Sequence, residues 1–221
     1  MARPVPDRPF LYSVSEKVMA SYRHPVIAPE GKVFIYGTLA LAAAAYYVLG
    51  KPGLLGLLPV GLMLWLFRDP RRPVPSSPLA VVCPVDGKVM AIEEQHDPWL
   101  DRPALHIAIR MSPLGMNSLR SVTEGKVVKH QRSPNGGRER AIHVQTDEQD
   151  DVIIVLRPGR LMQRLSCHVH AGERVGQGQR CGHILFGADI DIYLPANSRS
   201  NLQPGQVVRA GSDVIGEFIH G

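Results

Sequence analysis

The stretch 182-GHILFGADIDIYLP-195 decides the fold. Two runs of strand-type residues, HILF and IDIYLP, meet at Gly187-Ala188. Glycine inside a strand pattern marks a β-bulge or a tight bend, because it offers backbone freedom and no side chain to pack. A Gly-Ala break can also be a place where a backbone bond has to be reached by chemistry, and the residues at this point leave both readings open.

Working outward, short β-rich pieces alternate with glycine turns: AVVCPVDGKVMAIEE, ALHIAIRMS, EGKVVKHQ, RAIHVQT, DVIIVLR, RLSCHVH, QVVRAG and DVIGEFI. No amphipathic run among them is long enough for a good helix, so the pattern predicts an all-β barrel or sandwich. A weak internal repeat sharpens this. AGERVGQGQRCG (171–182) and PGQVVRAGSDVIG (204–216) share the order G-x-x-V-x-x-G with a later glycine. Paired glycine-set hairpins of this kind are the pattern of barrel-sandwich hybrids such as lipoyl and biotinyl carriers. The fold class expected is mainly β, a barrel-sandwich-hybrid-like domain over 68–221, preceded by a polar segment (1–30) and a hydrophobic helical hairpin (31–67).

The hairpin is read from VFIYGTLALAAAAYYVLGKPGLLGLLPVGLMLWLF (33–67), whose only charge is Lys51. GKPG is a turn signal that leaves apolar pieces of 17 residues (33–49) and 14 residues (54–67). Each falls short of the roughly 20 residues of a straight span, so two short helices joined by a turn are expected. Arg23, His24 and Lys32 precede the run and Arg68, Arg71 and Arg72 follow it. By the positive-inside tendency both ends lie in the cytoplasm, at the inner face of the plasma membrane. A buried hairpin of a soluble core is the competing reading. The first thirty residues are polar with five prolines, which is unlike a signal peptide. A net charge of +5 suits an anionic membrane surface or an ordinary solvated face, and nucleic acid is not expected. Three widely spaced cysteines suggest neither a zinc ribbon nor a disulfide framework.

In order, FRDPRR (67–72), CPVDGKV (83–89), RMSPLGMNSLRSVTEGKV (110–127), GERVGQGQRCGHILFGADIDIYLP (172–195) and PGQVVRAGSDVIGE (204–217) resemble the short, single-hairpin form of the phosphatidylserine decarboxylase family. The resemblance is colinear over about residues 31–217. It implies an enzyme that makes its own cofactor. A serine following a glycine attacks the preceding carbonyl, the ester is eliminated, and the new N-terminus becomes a pyruvoyl group that serves as an electron sink. An Asp–His pair activates that serine.

Carried over residue by residue, Asp86 stands at the family's carboxylate position, Asn117 at its histidine and Ala188, after Gly187, at its self-cleaving serine. Alanine has no Oγ, and the asparagine amide is no base near neutral pH. The loop between Lys126 and Ala141 is also shortened. These departures imply a family member that is not processed and has no pyruvoyl cofactor, and they leave enzymatic activity open. Its expected partners are a phospholipid membrane whose headgroups it binds, with a homodimer or an active partner enzyme as further options. An altered copy of an active enzyme and a β-domain adaptor for a protein partner are the alternatives. For anions, Arg120 in the MSP segment and the SPNGGRER loop, with Arg138 and Arg140 after Gly136-Gly137, are the candidates. His168, His170, Cys181 and His183 lack a familiar metal spacing, so no metal is expected. Lys88 lacks the context of a carrier lysine.

Overall fold

The computed structural model describes residues 27–70, 72–75, 77–113, 115–133, 137–158, 165–185 and 187–220. Residues 1–26, Arg71 and Gly136 of the stretches above lie outside them.

After a 3₁₀ turn at Pro29–Gly31 the first helix, α1, covers Lys32–Leu49. It stops at Gly50, whose φ of +66° is the left-handed conformation glycine tolerates, and the Gly50 amide donates to the Tyr46 carbonyl. The expected turn at GKPG opens a longer 3₁₀ segment, Lys51–Gly56, so the second α-helix, α2, is only Leu57–Leu66. Pro59 falls in its first turn, where no intrahelical amide is missed. Close approaches set the register of the two arms. A Cβ on Gly31 would lie 2.3 Å from the Phe67 ring, one on Gly56 3.1 Å from the Ala42 Cα, and one on Gly53 2.4 Å from the Tyr46 Cα. Small residues therefore face inward, while Tyr47 (91% exposed), Val33 and Leu58 stand on the outside.

Among the described residues thirteen strands follow: β1 (Ala80–Val82), β2 (Gly87–Asp97), β3 (Arg102–Met111), β4 (Ser118–Arg120), β5 (Gly125–Arg132), β6 (Arg140–Gln145) and β7 (Asp151–Pro158). Then come β8 (Leu165–Cys167), β9 (Arg174–Val175), β10 (Arg180–Ile184), β11 (Ala188–Pro195), β12 (Val207–Val208) and β13 (Val214–Glu217). The main sheet runs β12-β2-β3-β11-β7-β6-β5-β9, and two small sheets, β4-β10-β8 and β1-β13, close over it. The protein is thus mainly β, as the strand spacing predicts, with the apolar hairpin in front. The central strand β11 aims Ala188, Ile190, Ile192 and Leu194 into one core with Ile107, Ile109, Val144 and Ile154. Its other face packs Tyr193 against Ala104, Ile153 and Val155, while Asp189 and Asp191 lie on that same face.

The repeat is a structural one. Gly172 and Gly205 both have φ of +95°, and Gly178 and Gly211 have φ of 68° and 72°. Gly172 and Gly205 donate to Val127 and Val89, and Gly178 and Gly211 donate to Ser121 and Cys83. Each half thus folds against its own acidic-Gly-Lys-Val strand start, DGKV at 86–89 or EGKV at 124–127. The halves also exchange Arg120 N–H to Pro84 and Val82 N–H to Val122, which makes a pseudo-twofold.

Candidate functional site

The chain changes sheets at Gly187. β10 belongs to the small sheet and β11 to the large one, and Gly187 makes the crossing with φ of +79°. This is the glycine bend read from the sequence, with the strand beginning at Ala188 itself. A Cβ on Gly187 would meet the Met111 carbonyl oxygen at 3.5 Å and Pro113 at 3.8 Å, so the 187–188 bond lies against the MSP segment. Ala188 is 8% exposed, its methyl part of the core.

Asp86 ends the turn before β2 and holds the same segment from the other side. Its backbone carbonyl accepts from Ser112, and its carboxylate accepts from the amides of Met116 (3.1 Å) and Ala210 (2.8 Å). Arg72 completes the set with two hydrogen bonds, at 2.5 and 2.9 Å. Burial raises the Asp86 pKa, but these four donors outweigh it and hold the carboxyl below the ordinary aspartate range.

Asn117 is 1% exposed. Its Nδ2 donates to the Leu66 carbonyl at the end of α2 (3.0 Å), and its backbone carbonyl accepts from Ile184 (2.7 Å). Its Oδ1 is buried without a hydrogen-bond partner among the described residues. Asp86 and Gly187 therefore both meet the segment that leads into Asn117, through Met111, Ser112, Pro113 and Met116. Asp86 and Asn117, however, bond different partners, and both hold the segment leaving the hairpin.

Arg120, the anion candidate of the MSP segment, is engaged within the fold. It is 3% exposed, with one Nη donating to Asp69 (2.9 Å) and the other to the Gly178 carbonyl (3.1 Å). Asp69 also faces Arg180 (3.3 Å), which donates to Glu30 (2.6 Å), and Glu30 accepts from His168 (2.5 Å). Two arginines and two carboxylates thus close a buried network between the hairpin base and β4-β10, and such pairs fix orientation more than they add stability. His183 stacks on Phe67 at 5.2 Å, and burial pushes its imidazole down to about 4. His170 pairs with Glu173. The histidines weighed as metal ligands are therefore held in separate contacts.

Arg140 fares differently. It pairs across the ladder with Arg132, and both line a cleft of about 280 Å³ whose floor is Ala141, Ile142, Leu156 and Val169. His130 lines it too, its Nε2 donating to the Val169 carbonyl (3.0 Å), and the Gln131 amide nitrogen is buried without a partner among the described residues. Arg138 is exposed in the neighbouring connection, apart from the lining residues. Val169, on the cleft floor, follows His168, which pairs with Glu30. Sequence reasoning missed Glu30, Asp69, Arg72, Arg132 and Arg180. The only signal was the charge density of FRDPRR directly after an apolar run.

The fold is a glycine-crossed β-domain coupled through buried charge to an apolar hairpin, and the comparisons with known proteins assign its class. A sequence profile described as phosphatidylserine decarboxylase matches residues 61–216. Similar relatives include the phosphatidylserine decarboxylase proenzymes of Burkholderia multivorans (36% identical over 215 residues, 90% of this chain and 99% of the relative) and Burkholderia mallei (37% over 215 residues, 90% and 98%). The chain belongs to the phosphatidylserine decarboxylase family.

Proposed function

We propose that this chain is a member of the family that stays whole, sits on a membrane through its hairpin and holds an anionic phospholipid headgroup in the Arg132–Arg140 cleft. The observation that carries the reading is Ala188. The residue after the glycine crossing carries a methyl group, and no hydroxyl is present there to attack the Gly187 carbonyl. The residues present do not fit a self-made pyruvoyl group, and no decarboxylation step is assigned to them. Asp86 supports the same reading, since its carboxylate is saturated by Arg72 and two amides rather than orienting a base. A pair of arginines above an apolar floor suits a phosphate with its glycerol and first acyl carbons.

The membrane reading is supported by the family and by one helix, Pro29–Leu49, long and apolar enough to cross a bilayer. The cytoplasmic side follows from the basic flanks. The alternative, an altered copy of an active decarboxylase, draws on the loop at 111–117 still resting against Gly187.

The test is intact mass together with flotation of the purified full chain on vesicles containing phosphatidylserine, phosphatidylglycerol or phosphatidylcholine alone. One species near 24.3 kDa that prefers the anionic vesicles supports the proposal. Two fragments, or release of carbon dioxide from phosphatidylserine, overturns it.

A further inference from the structure

We propose that the hairpin crosses the whole hydrocarbon layer, so that Gly50–Pro52 emerges among the headgroups of the leaflet opposite the β-domain. This rests on the reading that the hairpin lies in lipid, and it fixes what that reading leaves open, whether the hairpin dips or spans.

The sequence suggests two pieces too short to span, and the structure changes that count. α1 has 18 residues, which at a rise of ~1.5 Å give about 27 Å. The returning arm has six residues of 3₁₀-helix and ten of α-helix, and at ~2.0 and ~1.5 Å per residue these also give about 27 Å. The tighter winding recovers the length that ten α-helical residues lack. Both arms then match a hydrocarbon core of ~30 Å with only slight thinning.

Polar groups fall where a full crossing needs them. Lys51 is the only charge between Val33 and Phe67, and it is exposed at the turn, beside Tyr46 (53% exposed) and Tyr47. At the other end lie Lys32 and the Arg68 guanidinium stacked over Trp65 at 4.9 Å, an aromatic–cation pair suited to a headgroup layer. Between the two levels, Thr38 satisfies its hydroxyl on the carbonyls of its own helix, Phe34 and Ile35. The arms touch through Ala42, Gly53 and Gly56, the small-residue packing of helices in lipid.

A dipping hairpin would place the Lys51 ammonium and the open backbone of the turn in mid-bilayer, which hydrocarbon rejects. Keeping a 27 Å arm within half the layer would need a tilt of about 55°, against ~20° for ordinary spans. The base cannot follow such a tilt freely, because Asn117, Arg72 and the Glu30–Arg180–Asp69 network hold it to the β-domain.

The experiment uses the full chain in sealed vesicles of both orientations, labelled with a membrane-impermeant maleimide. Asn201→Cys, exposed on the β-domain, marks one side, and Lys51→Cys reports the turn. Pro52→Cys repeats the report with Lys51 kept, and the unsubstituted chain gives the background of its own cysteines. Full labelling of the turn from the side where Asn201→Cys is not labelled, with loss of turn labelling from the β-domain side, supports the crossing. Turn labelling from the β-domain side, or only after detergent, overturns it while leaving membrane attachment standing. A chain that stays out of the vesicles refutes the attachment reading itself, and the crossing with it.

Discussion

Asp86 stands where the family resemblance puts a catalytic carboxylate, yet its contacts describe a structural part, and the difference is measurable. Asp86→Ala removes four accepted hydrogen bonds, two from Arg72 and two from the amides of Met116 and Ala210. Removing one partner of a buried pair costs ~3–5 kcal/mol. The Arg72 and Asp86 side chains keep 20% and 15% of their surface in water, so the orphaned guanidinium recovers part of that. About 2–4 kcal/mol is expected after this discount. For a chain of this size, that lowers Tm by about 5–15 °C.

Thermal unfolding of the full chain in detergent, followed by tryptophan fluorescence, gives the value, since Trp65 reports on the hairpin and Trp99 on the β-domain. Arg72→Ala and the double variant complete a cycle, and a coupling of about 1 kcal/mol or more is expected. The folded pKa of Asp86 is depressed, so its contribution is fully present above the unfolded aspartate value. It fades as pH falls through the folded value, and the gap between wild type and Asp86→Ala closes in acid. A loss below about 0.5 kcal/mol at neutral pH, the scale of an ordinary surface change, would refute the reasoning.

Other consequences are open to measurement. Ala188→Ser is expected to remain a single species by intact mass, and Ala188→Ser with Asn117→His likewise, because Asp86 is already engaged by Arg72. Cleavage of the double variant would show that the constellation needs only its side chains restored. Arg132→Ala with Arg140→Ala is expected to weaken binding to anionic vesicles about 30-fold, at ~1 kcal/mol for each charge, and unchanged binding would move the headgroup site elsewhere. His183 is held down to about 4, below its unfolded value. The unfolded chain therefore takes up the proton first, and stability drops by roughly 3 kcal/mol as pH falls from about 6.5 to about 4. His183→Phe is expected to flatten that part of the Tm–pH curve, and an unchanged slope would place the acid sensitivity in other groups.

What the sequence showed depended on how local its cause was. The strands, the glycine crossing at 187 and the paired hairpins were legible, because period-two patterning and positive-φ glycines act over a few residues. The second arm of the hairpin was read as one piece from Leu54, whereas the 3₁₀ segment from Lys51 is imposed by Gly53 packing on Tyr46, a contact between the arms. Arg120 is an anion candidate in the sequence because it aligns with the arginine of the family's histidine segment, and an arginine in a strand is more often just surface. Its burial is caused by Asp69, a residue in another part of the chain, and no spacing announces such a pair. Arg140 was legible as a cation near a loop, but the cleft needed the ladder that sets it opposite Arg132. Asn117 could be recognised as a departure from a histidine, while its use as a tie to Leu66 required the fold.

The pseudo-twofold gives the molecule an internal control that few single chains possess. Gly178 and Gly211 share a backbone conformation, yet an added Cβ meets Val74 at 2.7 Å in one half and the aliphatic stem of Arg120 at 2.9 Å in the other. The cost of left-handed backbone is common to both, so matched alanine substitutions cancel it and leave the environment as the difference. Subtracting one half from the other leaves the cost of crowding the arginine beside the hairpin base less that of crowding Val74, with the reference built into the same protein.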